Sequence, residues 1–545
     1  MRNTLKRRTF LKSAPAVAAG LSIFQAGRAA AGTGTEKAPP GKLPYKIVYN
    51  QDDSAVFIQT DEPIEKEHVL GMVDEVARGG ADCFLACVQN HKTSYPSDVW
   101  EPIWYEYKAH GTVFGRKGES WIRHARQAMR LAEMGYDYPE LVMKRCREKG
   151  IAPGISIRMD DAHYRGPHSV GKSMVTARLA QFYQNTDLYL KGPDTERMGG
   201  SWALNYEKPE VREHYLALIR ELVERYDMEV LDLDFMRHPP YFDRKDLDRH
   251  CETMTGFLHE VHTLCHSSGR NISLMARVPS TPANCLGLGL DVGAWARERL
   301  VNGIALGMKN CTGWEAPVDA FREITGENVS IYPGTERQAG RTALVNTGRA
   351  DESEKASATR WTREMFRGFA AGQLANGADG IYLFNFFVGN SQMMDVLSGL
   401  AAPERLVGVK KAYRLTTYGT AHTEEADLPM QVPVTVPARQ SRKFEMLLAS
   451  EPEEVLVEAV AICDRMPEAH EIWLQMNDTP LGHATRISRE KEDLGYYSWH
   501  HFMGNSTAAV FRVPAGTIID GWNNLTLRNE GEPLMVLGLA VRIID

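Results

Sequence analysis

Between residue 44 and about residue 400 the chain alternates short apolar runs with longer amphipathic segments. The runs Lys46–Tyr49, Cys83–Val88, Gly154–Arg158, Val230–Phe235, Ser273–Val278, Gly303–Met308, Val329–Tyr332 and Gly380–Phe384 read as strands. Between them, Glu65–Ala77, Ser120–Met134, Tyr138–Lys149, Pro209–Tyr226, Leu247–Ser267, Val292–Leu300, Ala316–Ile324 and Trp361–Asn376 read as helices. In Pro209–Tyr226, for example, Val211, Tyr215, Leu216, Ile219 and Leu222 share one face, and Pro209-Glu210 suits a first turn. Repeated βα units of this kind predict an α/β fold, a closed (β/α)8 TIM barrel over residues 44–418. A doubly wound open sheet is the competing arrangement. It would place a Gly-rich phosphate loop after the first strand, and Tyr49-Asn-Gln-Asp-Asp-Ser54 is nothing like one.

The pattern changes near residue 401. Leu406–Tyr418 is expected to form a last helix and its exit, and residues 419–442 a Pro- and Thr-rich connector. Alternating runs then follow at Phe444–Leu448, Val455–Ile462, Glu471–Met476, Ala508–Val513, Asn524–Arg528 and Leu537–Ile544. They predict an all-β sandwich over residues 443–545.

The other end of the chain reads as an address. Lys6-Arg7-Arg8-Thr9-Phe10-Leu11-Lys12 precedes a mildly apolar stretch, Ala14–Phe24, and small residues at Ala26–Ala31. The paired arginines resemble a twin-arginine export signal. That resemblance implies a signal over residues 1–31, a linker over 32–43, and passage through the twin-arginine translocation machinery. The apolar stretch is about 11 residues, short of the roughly 20 that span a bilayer. The expectation is a periplasmic or secreted protein without membrane anchoring.

Composition narrows the function classes. With 545 residues and 43% apolar content the chain can fill more than one core, which excludes wholesale disorder. The formal charge is −7. The first 31 residues carry Arg2, Lys6, Arg7, Arg8, Lys12 and Arg28 and no acid, so the remainder is more acidic still. Such a surface argues against a nucleic-acid partner. The 8 cysteines include no CxxC pair, so neither a disulfide framework nor a zinc site is expected, and Cys83 and Cys87 read as buried thiols. No cofactor is expected.

In a parallel barrel the carboxyl ends of the strands carry function, and here they are polar at almost every strand. The first ends in Asn50, Asp52 and Asp53, and the second leads to Gln89, Asn90 and His91. The third gives Arg158, Asp161 and His163, the fourth Asp232, Asp234, Arg237 and His238. Arg277, Glu336 and Asn385 finish the fifth, seventh and eighth. Strand alternation sends Asp232 and Asp234 to the same face, about 7 Å apart. Two buried carboxylates are costly unless paired or serving chemistry, and Arg237 could neutralise one of them. Glu336 follows a Pro-Gly turn that would deliver it to the mouth. Two carboxyls facing across a sugar-sized gap suit acid/base chemistry on an acetal. Trp100, Trp104, Tyr105, Tyr164, Trp202, Tyr206, Trp314, Phe386 and Phe387 would offer stacking faces.

Asp232-Leu-Asp-Phe-Met-Arg-His238, Arg158-Met-Asp-Asp-Ala-His163, Tyr332-Pro-Gly-Thr-Glu336 and Gly377-Ala-Asp-Gly-Ile-Tyr-Leu-Phe-Asn385 together resemble the family-10-like glycosyl-hydrolase-like barrels. The resemblance implies a glycosidase acting on a poly- or oligosaccharide, with catalytic carboxylates at the ends of strands four and seven. By position these are Asp234 and Glu336. Glu336 would be the general acid and Asp234 the nucleophile or water-activating base, or the two exchanged. Asp53, Asn90, His91, Arg158, Asp161, His163, Asp232, Arg237, His238, Arg277 and Asn385 would contact the substrate. The segments Glu471–Leu481 and Gly521–Arg528 resemble jelly-roll sandwiches appended to glycosidases, with Tyr496, Tyr497, Trp499, His500, His501 and Phe502 as a glycan platform or as packing. Two alternatives stay open. One is a non-catalytic glycan-binding barrel. The other is a metal-dependent hydrolase or lyase using His91, His163, His238, Asp161 and Asp234, although no HxH or HExxH spacing occurs and no metal ligand is assigned.

Overall fold

A computed structural model gives the fold. It describes residues 41–544 apart from 60–62, 106–119, 163–164, 166–178, 192–202, 244, 309–311, 337–338, 342–357, 360, 386–395, 398, 401, 418–427, 429 and 491–505. The export signal expected over residues 1–31 therefore lies outside the described residues.

Each of the eight apolar runs is a strand: β1 Ile47–Asp52, β2 Cys83–Cys87, β3 Ala152–Arg158, β4 Val230–Asp234, β5 Ser273–Pro279, β6 Gly303–Gly307, β7 Ser330–Thr335 and β8 Ile381–Phe384. They form a closed barrel in which neighbours follow chain order and β8 pairs in parallel with β1. Apart from Ser273 the strands are buried from end to end. Parallel pairing explains this, because each crossover returns over the outside as a helix and covers that face. The covering helices are α1 Lys66–Arg78, α2 Ser120–Glu133, α3 Tyr138–Lys149, α4 Pro209–Arg225, α5 Leu247–Ser267, α6 Val292–Arg297, α7 Val318–Thr325 and α8 Arg363–Ala375. Local sequence sets their ends. Asp137 caps α3 by accepting from Glu140 N, and Gly150 stops that helix in the left-handed region at φ 73°.

The two faces of the barrel sheet bury different things. Outward residues such as Tyr49, Phe84, Ile155, Leu231 and Leu383 belong to one continuous core shared with the helices. Inward residues Val48, Leu85, Val230, Met275, Ala305 and Tyr332 form a separate core that fills the lower barrel. Gly154 belongs to that level because a Cβ there would meet Leu85 at 2.4 Å. Register then stacks the polar inward positions above it. Ser156 lies beside Asp232, Arg158 beside Asp234, and Asp234 beside Arg277. The barrel interior thus passes from apolar, through hydroxyl and amide, to charged at the carboxyl ends of the strands.

The C-terminal module is a sandwich of two antiparallel sheets. Its strands are β9 Lys411–Arg414, β10 Val434–Val436, β11 Gln440–Leu448, β12 Val457–Cys463, β13 Ile472–Met476, β14 Thr479–His483, β15 Arg486–Ser488, β16 Thr507–Val513, β17 Gly521–Asn529 and β18 Leu534–Ile543. One sheet has the order β9-β18-β12-β16-β15 with β10 also on β18, and the other β11-β17-β13-β14. Two expectations are corrected. The helix here is Pro403–Leu406, so among the described residues of the expected Leu406–Tyr418 helix only Leu406 is helical. Lys411–Arg414 pairs antiparallel with β18, so the sandwich begins before residue 418. Val434–Val436, in the expected connector, also pairs with β18. Ten-residue β18 is long enough to bind both short segments along one edge.

Barrel and sandwich meet on α8. A Cβ on Gly368 would lie 2.1 Å from the carbonyl of Ala412, and one on Gly372 2.7 Å from that of Leu447. A bare helix face therefore lets β9 and β11 press against the barrel. Trp522 Nε1 adds a bond to Asp319 Oδ2 on α7 at 3.1 Å. The described cysteines are free, and no described helix is long and apolar enough to cross a membrane.

Candidate active site

Asp234 ends β4, Arg277 lies on β5, and Glu336 directly follows β7. Arg277 joins the two acids. Its Nη1 donates to Asp234 Oδ2 at 3.1 Å, and its Nη2 donates to Glu336 Oε1. The guanidinium is buried, with its centre 3.8 Å from the centroid of the Phe384 ring. Gly307 on β6 makes that position possible, since a Cβ there would lie 2.9 Å from Arg277 Nε. Asp234 also accepts from Met236 N at 2.8 Å. Glu336 is fixed through its backbone, which receives Trp361 Nε1 on the carbonyl at 2.9 Å and donates its N–H to Thr312 Oγ1, also at 2.9 Å. Burial pushes the Glu336 carboxyl up to about 7, even though the Arg277 and Arg237 charges pull it down.

Asp232 lies one layer below. Its Oδ2 accepts from Ser156 Oγ at 2.7 Å, Tyr382 OH at 3.0 Å and Asn50 Nδ2 at 3.4 Å. Burial, reinforced by the Asp234 charge, lifts its carboxyl to about 7, against those hydroxyl bonds. On the far side of the mouth Arg158 Nη2 lies 2.6 Å from Asp52 Oδ1, and its Nη1 donates to Asp161 Oδ2 at 2.7 Å. Asn385 Nδ2 donates to Asp52 Oδ2 at 2.8 Å. Burial raises the Asp52 carboxyl, but Arg158, Arg237 and Asn385 outweigh it and hold it below the ordinary carboxylate range. His238 Nδ1 stands 3.7 Å from Asp161 Oδ1.

The mouth thus brings together Arg158, Asp161, Asp232, Asp234, Arg237, His238, Arg277, Glu336 and Asn385. Three of the other expected contacts go elsewhere. Asp53 faces away, accepting from Ser94 Oγ and lying 3.3 Å from His124 Nε2, because alternation along β1 turns Asp52 inward instead. Asn90 spends its side-chain oxygen on Lys92 N at 2.9 Å, closing its own loop. His91 is buried against Tyr183, ring centroids 5.5 Å apart. His163 lies outside the described residues. Asp234 is paired with Arg277, which the neighbouring strand supplies in register.

Of the five expected stacking aromatics among the described residues, four are buried. Trp100, Trp104, Tyr206 and Trp314 are buried, whereas Tyr105 is 55% exposed. Tyr164, Trp202, Phe386, Phe387 and the Tyr496–Phe502 group lie outside the described residues. Ser156, Tyr382, Thr312, Trp361 and Gly307 escaped the sequence reading. An inward Ser and Tyr on barrel strands were the available signal. Among the described residues no group of three or more His, Cys, Asp and Glu side chains is placed to hold a metal ion.

No family model matches the chain, and no curated protein matches it. Solved structures similar to it include alpha-L-fucosidase isoenzyme 2 from Paenibacillus thiaminolyticus, at 12% identity and a TM-score of 0.40, over 66% of this chain and 49% of that one. The PgaB glycoside hydrolase domain from Bordetella bronchiseptica matches at 7% identity and a TM-score of 0.41, over 66% of this chain and 99% of that domain. The alpha-galactosidase AgaA from Geobacillus stearothermophilus matches at 12% and 0.35, over 89% and 55%. The chain thus spans about half the length of the fucosidase and of the galactosidase. Function has to be read from the site itself.

Proposed function

We propose that the barrel mouth hydrolyses glycosidic bonds with Glu336 as proton donor and Asp234 as nucleophile or water-activating base. The supporting observation is the bridge Asp234–Arg277–Glu336, which holds two carboxyls from β4 and the end of β7 around one guanidinium. Arg277 engages Glu336 at Oε1, leaving Oε2 to carry the proton that a departing sugar oxygen needs. A carboxyl lifted to about 7 still holds that proton near neutrality. Asp234 accepts donors from Met236 and Arg277, the surroundings of an anion that attacks or orients water. Arg158, Asp52 and Asn385 form a second polar group on the opposite side, suited to hydroxyls.

A second reading, a glycan-binding barrel without turnover, is favoured by the burial of the pair, since Asp234 is 1% and Glu336 8% exposed. One experiment separates the two readings. Purified protein is incubated with a polysaccharide panel, and new reducing ends are counted for the parent, Asp234→Asn and Glu336→Gln. Hydrolysis that drops about 10²–10⁴-fold in Glu336→Gln supports the acid role. The parent rate should fall as pH rises through about 7, where Glu336 loses its proton. Calorimetric sugar binding without product over days would establish the second reading instead.

Export by the twin-arginine route belongs to the same proposal. N-terminal sequencing of the exported protein should find it starting after Ala31. An unprocessed chain retained in the cytoplasm refutes this part.

A further inference from the structure

Beside the mouth, the loops after β2 and β3 enclose a cavity of about 540 Å³ walled by His91, Trp100, Phe182, Asn185, Glu210 and His214, among others. That volume lies within the ~300–1,000 Å³ of small-ligand sites. Three of these residues form one stack. The His214 ring lies 3.6 Å from Phe182 and 4.2 Å from Trp100 between centroids, within 6° and 11° of parallel. Trp100 is anchored by a 3.1 Å bond from its Nε1 to the His214 carbonyl and is 4% exposed. Phe182 is only half-buried and ends the stack.

The chemistry of the wall is close to neutral. Burial pushes the His214 imidazole down to about 3, so it carries no charge, and its Nε2 has no partner among the described residues. Glu101 is offset by the buried Lys92 ammonium 3.5 Å away. Glu210, in the first turn of α4, is the acid left at the rim. An aromatic plate beside an imidazole, an amide and one carboxylate matches a neutral sugar ring, whose C–H face is apolar and whose hydroxyls are polar. A purely apolar ligand would leave those polar groups unanswered, and among the described lining residues a strongly cationic one would meet Glu210 as the one acid without an ion pair.

We propose that this cavity is a second carbohydrate subsite, binding a neutral pyranose of the same chain whose glycosidic bond lies at the barrel mouth. The proposal rests on the carbohydrate reading of the mouth. The β2 loop ties the two places together. Gln89 Nε2 donates to the Arg158 carbonyl at 2.9 Å, and His91, two residues on, lines the cavity.

The test is calorimetry on the full chain carrying Glu336→Gln, titrated with cellohexaose, xylohexaose, mannohexaose and laminarihexaose. At least one hexasaccharide should bind. Phe182→Ala should weaken that binding about tenfold, whereas Phe182→Trp should preserve it. Should Phe182→Ala unfold, Glu210→Ala gives the same readout through a lost hydroxyl contact, with a drop of about fivefold. Equal affinity in parent and variant overturns the subsite, as does absence of binding to all four hexasaccharides. Tighter, salt-sensitive binding of hexameric glucosamine overturns the neutral-sugar assignment. Phe182-dependent binding in a protein whose unsubstituted form hydrolyses nothing upholds the subsite and refutes the catalytic reading. Hydrolysis with Phe182-independent binding does the reverse.

Discussion

Barrel and sandwich both bury charge, and they do so differently. In the sandwich, Lys411 pairs with Glu451, both almost fully buried, and the second Glu451 oxygen accepts from Gly408 N at 3.0 Å. Each group there has its own partner. Among the described residues of the barrel mouth, Asp52, Asp161, Asp232, Asp234 and Glu336 stand with Arg158, Arg237 and Arg277, and His238 lies 3.7 Å from Asp161. One guanidinium serves Asp234 and Glu336, and another serves Asp52 and Asp161. A matched pair closes an electrostatic account locally. An excess of buried acid has to retain protons, and Asp232 and Glu336 are the carboxyls pushed to about 7. Matched burial holds a fold together, whereas mismatched burial stores protons for chemistry.

Breaking one cation in each region gives the largest effect. Lys411→Met strands Glu451 and should lower unfolding stability by about 3–5 kcal/mol. It should leave the pH dependence of hydrolysis unchanged. Arg277→Met should cost less stability, because the released Glu336 carboxyl can take up a proton near neutrality. Arg277 lowers the proton affinity of Glu336, so its loss should move the alkaline limb of any residual activity to higher pH. Denaturant titrations and pH–rate profiles of both variants check this. A Lys411→Met protein as stable as its parent, or an Arg277→Met profile that does not move, breaks the contrast.

Most of the barrel was legible because each strand is an unbroken apolar run framed by amphipathic helices, and all eight runs appear in order. The inward sharing of Asp232 and Asp234 followed from alternation alone. The same burial on both faces hid the parity of β1, where all of Ile47–Asp52 is buried and nothing in the pattern marks Asp52 as the inward acid. Arg277 was seen as a mouth residue, but its partner depends on the offset between β4 and β5, which barrel closure fixes. β9 and β10 were missed for a similar reason. They are four and three residues long, and their partner β18 is roughly 130 and 100 residues away respectively.

Asp232 sharpens the comparison at an intermediate scale. Its carboxyl is raised from 3.8 to about 7, so the folded chain binds this proton more tightly than the unfolded one. The resulting stabilisation is complete below about pH 4 and is lost as pH rises through about 7. Asp232→Asn removes the titration and can keep the oxygen that accepts from Ser156 and Tyr382. The difference in melting temperature, variant minus parent, should grow more positive between pH 5 and pH 8, by up to a few kcal/mol in stability. A difference independent of pH means that Asp232 holds no such proton.

The finest test is a single methyl group. Alanine at Gly307 would set its Cβ 2.9 Å from Arg277 Nε and 3.2 Å from Nη2, so the guanidinium must yield by a few tenths of an ångström. Arg277 is held by Asp234, Glu336 and the Phe384 ring, so yielding loosens the bridge without abolishing it. Gly307→Ala should therefore cost about 1 kcal/mol or less and raise the alkaline limb of hydrolysis by a few tenths of a pH unit. Gly256→Ala in α5 is the control. A methyl there meets nothing within 4 Å and should add about 0.5–1 kcal/mol of helix stability with no change in the pH profile. If the two alanine variants share one profile, the position of Arg277 does not tune Glu336, and the shared cation in the mouth differs from the private one in the sandwich only in number.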